Sequence, residues 1–379
     1  MTYLLIANAY PNKNRIYSNA FVHRRVKAYM DQGIDVEVVV MSTKVTLDEY
    51  YDGVKIKYLD EYQLANLMNS KQYEGILIHF INRKMYYALK QLTYNPRIII
   101  WLHGFEAEPW YSRFYNYLSD QKALLSQLER KDTHFEDQKE MLRDLFTHKT
   151  LDITFIYVSE SFKKKYVDPY VGIEPKKYEI IPNIIDKDLF PYRKKIKEDR
   201  FKICNIRPYT AKNYANDITR DVILYLSKKR IFKKLEFNLY GDGPLFDQIT
   251  MPLKKFDNVH LHKGFVPQNE IPYIHAQHGI YLGPTRHDSQ GVSLGEAMSS
   301  GLVPISNDIG AIKEYIEPNK AGIVVPRDDV KEMANAIVYL VKHHKEFLAM
   351  SEYAHESIQS KAGKHIVINK EVEVINGGK

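Results

Sequence analysis

Residues 279–301 read GIYLGPTRHDSQGVSLGEAMSSG. The first six are an apolar run of strand character, and PTRHDSQG is the loop beyond its carboxyl end. A helix then begins near Ser289–Gly291 and carries VSLGEAMSS. Strand, loop and helix in this order form the repeating unit of a parallel α/β sheet, in which ligands bind beyond the carboxyl ends of the strands. Two acids eight positions apart, Asp288 and Glu296, frame the helix start. Backbone N–H groups there point at an anion, helped by the helix macrodipole, and Gly291 lets a ligand approach the backbone closely. Glu296, more than one turn in, is placed to accept hydrogen bonds from a vicinal diol. Asp288, in the loop, is free to reach another part of the same ligand. The gap therefore separates two tasks on one ligand and does not pair two acids for general acid–base work. Taken alone, the pattern favours a surface helix whose N-terminal acid complements the dipole.

The same grammar runs along the whole chain. Strands are expected at 3–9, 36–41, 75–81, 97–103 and 153–159, then at 201–206, 236–241, 258–264, 279–284, 302–306 and 321–326. Most are rich in β-branched residues on both faces, as strands covered on two sides must be. Helical segments alternate with them, such as 18–33, which has serine and asparagine at its start and glycine at its stop. A polar stretch at 118–148 has leucines at near-helical spacing, and packing is its expected role. At 379 residues the chain is long enough for two domains, with the boundary expected within 183–200, where proline, asparagine and a charge run precede the next strand. The fold class is α/β with two doubly wound parallel sheets.

Composition narrows the function classes. A 44% hydrophobic and 27% charged chain is globular and not disordered. The single cysteine, Cys204, excludes an intramolecular disulfide and any multi-cysteine metal site, and its apolar run FKICNI reads as buried core. No stretch approaches the ~20 apolar residues of a membrane span, and the opening residues lack the features of a signal peptide, so a cytoplasmic protein is expected. A net charge of +7 is too mild for a nucleic-acid signature. The basic residues do cluster at 163–165, 176–177 and 193–197, which reads as a solvated surface or as one attracted to an anionic membrane or polyanionic substrate. No G-x-G-x-x-G follows the first strand and no P-loop pattern occurs, which argues against nicotinamide, flavin and P-loop chemistry. Asp186 and Asp188 form a D-x-D, but it lies in the expected linker, where solvated acids are the better reading.

Other strand ends in the second half carry candidate ligand groups. Arg207 ends 201–206 and Lys212 follows it by five residues; two cations at a strand end can hold a diphosphate. Gly241, in YGDGP, is a tight turn at another strand end, and HKGFVP offers Phe265 as a seat for a nucleobase.

Together these residues resemble the retaining glycosyltransferases of family 4, which have the GT-B fold. The family's E-x7-E followed by A-M and a small residue before glycine appears here as D-SQGVSLG-E-AMSSG. The other stations follow in order: IIPN-x-x-D at 180–186, Arg207 and Lys212, GDGP at 241–244, GFVP at 264–267, and Pro284–Thr285 before the acid. The opening YPNKNRIYSNAFVHRRVKAYMDQGIDVEVV is similar to the family's first strand, loop and helix. The resemblance implies two Rossmann-like domains facing a central cleft. It gives an acceptor-binding domain at 1–190, a nucleotide-sugar domain at 191–345 and a helical tail at 346–379 packing back towards the first. It also implies transfer of a sugar, with retention and without a metal or other cofactor, from a nucleoside diphosphate (uridine diphosphate by prevalence) to a hydroxyl of a glycan. The acceptor expected is a bacterial surface glycan such as a polysaccharide, lipopolysaccharide or teichoic acid, or its lipid-linked precursor, with peripheral contact at the inner face of the plasma membrane and no nucleic-acid partner.

By the same resemblance His103, Asp288 and Glu296 are catalytic, with Glu296 on the ribose hydroxyls. Arg207, Lys212 and the segment Ser289, Gln290, Gly291 and Val292 hold the diphosphate and transferring sugar, and Gly241, Phe265 and Val266 flank the base. Asn12, Asn14 and Gly104 stand on the acceptor side. Three departures alter the pattern: the first acid is Asp288, Ile184 stands where the family has glycine, and Tyr10–Asn14 replaces a glycine pair. They motivate a non-catalytic glycosyltransferase-like subunit as an alternative, beside a GT-B epimerase or phosphorylase.

Overall fold

The computed structural model describes residues 2–43 and 48–377, so the first residue of the expected N-terminal domain and the last two of the expected tail lie outside it. The chain forms two compact units. Unit 1 comprises Met1–Ser112, Leu125–Asn183 and Val367–Lys379; unit 2 comprises Arg113–Leu124 and Ile184–Ile366. The chain thus enters unit 2 at Ile184, where the sequence placed the change at 190/191. The reason is local: the Ile185 N–H donates to the Ala362 carbonyl at 2.8 Å, and Ile185 is buried beside Leu294 and Ile358 in a core of unit 2. The expected tail also divides, since the helix His344–Ala362 places Phe347 and Ile358 in the cores of unit 2, and only the last helix, from Val367, belongs to unit 1.

Unit 1 is built on β1 (Thr2–Ala7), β2 (Asp35–Met41), β3 (Glu49–Tyr51), β4 (Val54–Leu59), β5 (Gly75–His79), β6 (Arg97–Leu102), β7 (Asp152–Tyr157) and β8 (Tyr178–Ile180). Their order in the sheet is β3-β4-β2-β1-β5-β6-β7-β8, parallel throughout except for the edge pair β3–β4. β1, β5 and β6 are buried on both faces, which is why they read as continuous apolar runs. The first long helix is Ala20–Asp31, two residues inside the expected 18–33 at each end. The polar stretch 118–148 is helical at Gln121–Arg130 and Glu136–Thr147 with a π-turn between. Its second half buries Met141, Leu142, Leu145 and Phe146, whereas Leu125 and Leu128 of the first half stay exposed, so the expected packing role holds for the second half alone.

Unit 2 carries β9 (Lys202–Ile206), β10 (Glu236–Gly241), β11 (Val259–Lys263), β12 (Ile280–Leu282), β13 (Val303–Asn307) and β14 (Ile323–Val325), in the order β11-β10-β9-β12-β13-β14 and all parallel. The order reverses between β9 and β12, and such a switch point opens a crevice at the carboxyl ends of the two strands. Those ends carry Arg207 and the loop 283–291. Cys204 on β9 is fully buried, and burial pushes its thiol up to about 12, so it is inert core.

The basic clusters do not form one surface. Lys163 is fully buried, its ammonium donating to Asp168 at 2.6 Å and Glu174 at 2.9 Å, and Lys195 is buried in unit 2 with its ammonium on the His275 carbonyl at 2.7 Å. Lys164 pairs with Glu160, and Lys177 with Asp152. No helix among the described residues is long and apolar enough to cross a membrane.

Candidate functional site

Arg207 follows directly on β9, and its backbone N–H continues the ladder to the Tyr240 carbonyl of β10 at 3.1 Å. This fixes the side chain at the switch point. It is only 5% exposed, yet Nε and Nη2 have no hydrogen-bond partner among the described residues. The nearest carboxylate, Asp288, has its Oδ2 3.8 Å from Nη1, and the Tyr214 ring centre lies 5.9 Å from the guanidinium carbon. A buried guanidinium is costly unless a counter-charge completes its hydrogen bonds, so this geometry fits an anion that offers two or more oxygens to the planar fork.

Beside it is a cavity of about 400 Å³, lined by Arg207, Thr210, Gly241, Gly264, Phe265 and Val266 among others. The three residues expected at a nucleobase therefore share one pocket with the expected phosphate arginine. Gly241 is required there: a Cβ would stand 2.0 Å from the Arg207 carbonyl oxygen and 2.8 Å from the Tyr209 ring. Phe265 is 67% exposed, and an exposed aromatic ring at such a cavity suits contact with a nucleobase.

The acid–helix motif differs from its sequence reading in one respect. The helix is Val292–Ser299, capped by Gly291 at φ +87°, a conformation that favours glycine. Asp288, read as free to reach the ligand, instead accepts from the Gln290 N–H at 3.1 Å and the Gly291 N–H at 2.6 Å through Oδ1. These donors belong to the segment expected to hold the diphosphate, so the short aspartate side chain closes on the start of its own helix. The capping alternative describes Oδ1, while Oδ2 faces Arg207. Glu296, partly buried on the helix, has Oε1 3.4 Å from Nε2 of Gln268.

Lys212, expected beside Arg207 on the diphosphate, is exposed and donates to the Ser119 hydroxyl. It opens a one-turn 3-10 helix, Lys212–Tyr214, with Asn213 buried beneath. Arg286 holds this turn: it donates to the Lys212 carbonyl at 3.0 Å and grips Asp217 with two bonds of 2.7 and 2.8 Å. Neither Arg286 nor Ser119 was expected from sequence. The signal available was the aromatic run YSRFYNY at 111–117, which the helical reading of 118–148 left aside.

The remaining candidates lie in unit 1. His103 follows β6, buried, and its Nε2 lies 2.9 Å from Nδ1 of His79 at the end of β5. Burial holds both imidazoles well below the usual histidine range, so the pair is neutral and one ring donates to the other. His79 also stacks on Trp101 at 4.5 Å. His79 went unrecognised in sequence because GILIHFI reads only as a strand. Gly104 donates its N–H to Glu106 Oε2 at 3.2 Å, and the His103 N–H meets the other oxygen; burial still pushes the Glu106 carboxyl up to about 7. Asn12 turns its side chain on its own loop, Oδ1 accepting from Asn14 N–H at 3.0 Å and Arg15 N–H at 2.9 Å. Tyr10, in place of the family's glycine, is buried with its hydroxyl 2.9 Å from His23 Nδ1.

Asp186 Oδ1 accepts from the Asp188 N–H at 2.9 Å, a local turn. Among the described residues no group of three or more His, Cys, Asp or Glu side chains is arranged to hold a metal ion.

Residues 211–343 match the family model of the glycosyl transferases group 1. The poly(ribitol-phosphate) α-N-acetylglucosaminyltransferase of Staphylococcus aureus is 26% identical over 148 residues, 38% of this chain and 29% of that protein. The matches cover about half the length, or less, of the curated relatives. Sucrose-phosphate synthase from Thermosynechococcus elongatus superposes with a TM-score of 0.73 at 14% identity, over 100% of this chain and 99% of that one. Anabaena HepE in complex with UDP and glucose gives 0.70 at 12% identity, over 100% of both chains. With two α/β units and a switch point that presents Arg207, the chain has the GT-B fold, and its segment 211–343 is similar to the glycosyl transferases group 1.

Proposed function

We propose that the protein transfers a sugar from a nucleoside diphosphate, uridine diphosphate in the first instance, to a hydroxyl of a bacterial surface glycan or its lipid-linked precursor, with retention at the anomeric carbon. One observation carries the reading: a buried arginine with two unpartnered nitrogens shares a cavity with an exposed phenylalanine at the switch point of unit 2. HepE, a structural neighbour, binds UDP and glucose, and the S. aureus relative is named for transfer of N-acetylglucosamine to poly(ribitol-phosphate), which supports the donor and acceptor classes.

In this reading the base lies on Phe265 and the diphosphate on Arg207. Negative charge grows on the diphosphate as the glycosidic bond breaks, and Arg207 stabilises it where it develops, so the proposal needs no metal ion. Removing such a donor costs ~3–4 kcal/mol on the scale of oxyanion-site deletions. The acceptor hydroxyl attacks the oxocarbenium-like carbon from the leaving-group face. Glu296 holds the ribose diol, and Asp288 fixes the helix start against the donor. Peripheral membrane contact belongs to the same proposal and rests on exposed lysines such as Lys164, Lys165 and Lys176; absence of binding to anionic liposomes at low salt removes it.

Titration of UDP and GDP in the presence of chelator, followed by a donor-hydrolysis and transfer assay, tests the reading. Metal-free binding of one nucleotide, lost in Arg207→Ala, is the expected result; binding of neither overturns it. A nucleotide-binding subunit without catalysis is the second reading, favoured by the closure of Asp288 on Gln290 and Gly291. Binding without donor hydrolysis or transfer selects it.

A further inference from the structure

The segment Arg113–Leu124 lies in sequence between two parts of unit 1 yet is built into unit 2. It begins with a 3-10 turn, Phe114–Asn116; two of its side chains contact the turn Lys212–Tyr214 and a third faces the arginine that grips that turn. Asn116 Oδ1 accepts the Asn213 backbone N–H at 3.0 Å, and the Ser119 hydroxyl accepts from the Lys212 ammonium. The Tyr115 ring lies 5.2 Å from the Arg286 guanidinium carbon and 5.8 Å from that of Arg327. Arg286 in turn grips the same turn, its backbone N–H on the Asn213 carbonyl at 2.9 Å and its side chain on the Lys212 carbonyl at 3.0 Å.

These contacts clamp Lys212 and Asn213 from two sides. Tyr214, the last residue of the turn, places its ring 5.9 Å from the Arg207 guanidinium carbon. A short chain of contacts therefore runs from the strap through Asn213 and Tyr214 to the buried arginine, and through Ser119 to the one other cation expected at the diphosphate. The bonds are specific: each uses a short polar side chain on a group whose position sets a cation.

We infer that Asn116 and Ser119 are positioning residues for the donor diphosphate, holding the Lys212–Tyr214 turn so that Lys212 and Arg207 present a fixed pair of cations. The inference rests on the nucleotide-sugar reading of the Arg207 site. The contacts named above fall on Lys212, Asn213 and Arg286 and not on Gly241, Phe265 or Val266, which places the strap's action at the phosphate end.

The test compares the full-length protein with Asn116→Ala, Ser119→Ala and Ser119→Thr. Affinity is measured for the nucleoside diphosphate that the unaltered protein binds and for the corresponding nucleoside, the latter by ligand-observed NMR. Each alanine variant is expected to lose about five- to tenfold in diphosphate affinity, the size of one hydrogen bond to a charged or oriented group. Nucleoside affinity and melting temperature stay as they were, and Ser119→Thr, which keeps the hydroxyl, binds the diphosphate as the unaltered protein does. Unchanged diphosphate affinity in both alanine variants overturns the inference. A parallel fall in nucleoside affinity and melting temperature overturns it as well, since the strap is then only a packing element. If the unaltered protein binds neither UDP nor GDP, the nucleotide reading itself fails and takes the inference with it.

Discussion

Among the described residues two arginines are buried, one in each unit, and they differ in whether a carboxylate meets them. Arg25, on the helix Ala20–Asp31, is 0% exposed and donates through Nε to Glu371 Oε1 at 2.9 Å, with Nη2 on Asn183 Oδ1 at 3.3 Å. Glu371, also fully buried, takes further bonds from Tyr29 at 2.7 Å and Trp101 at 3.0 Å. Arg207 has no such carboxylate in hydrogen-bond reach; Asp288 stands at 3.8 Å with its other oxygen committed to the helix start. A buried charge that the fold neutralises is architectural, and here it ties the last helix to unit 1. One that the fold leaves incomplete marks where a ligand supplies the counter-charge.

The largest test of this contrast is Glu371→Ala. It strands the Arg25 charge in unit 1 and is expected to lower stability by about 3–5 kcal/mol, read as an early thermal transition. A loss below about 1 kcal/mol would break the comparison. Arg207→Met should do the reverse: nucleotide affinity falls about a hundredfold, in the range of charge-assisted hydrogen bonds, while the melting temperature holds or rises because an incompletely paired charge has gone. Gly241→Ala sharpens the same point. Its Cβ must displace the Arg207 carbonyl, so a destabilisation of about 1–3 kcal/mol is expected together with weakened nucleotide binding, measured by melting and titration on the same sample.

A third buried cation gives the smallest effect. Lys195 has a carbonyl partner and no carboxylate within bonding distance, and burial lowers its ammonium to about 8. An unfolded lysine titrates near 10.4, so between these values the unfolded chain binds more protons and folded stability rises with pH. The stability of the unaltered protein minus that of Lys195→Met should be flat below pH 7 and grow by about 1 kcal/mol between pH 7.5 and 9 in chemical denaturation. A flat difference throughout would place Lys195 in a better-solvated setting than the carbonyl contact implies.

Much of the fold was legible because a strand buried on both faces must be apolar at every position. β1, β5 and β6 announce themselves in this way, and the alternation with helices implies parallel sheets. The strands β3, β4 and β8 went unread for the converse reason. EYY and YEI are three residues long and largely exposed, and VKIKYL alternates Val54 and Ile56 inward with Lys55 outward, which a search for continuous apolar runs passes over. In the site, Arg207, Gly241, Phe265 and Val266 were legible because each follows a strand, and strand ends in a parallel sheet share one edge.

What the sequence determined by itself is therefore the α/β class, the repeated strand–loop–helix unit and which residues stand at strand ends, since these depend on local periodicity and on neighbours a few positions apart. Tertiary structure alone decided what those residues face. Arg25 meets Glu371 across 346 positions, Asn213 meets Asn116 across 97, and Lys163 and Lys195 leave the basic surface that their sequence neighbours suggest. Whether a charge is completed by the protein or left for a ligand depends on groups brought together only by folding, and no local pattern in the chain records that pairing.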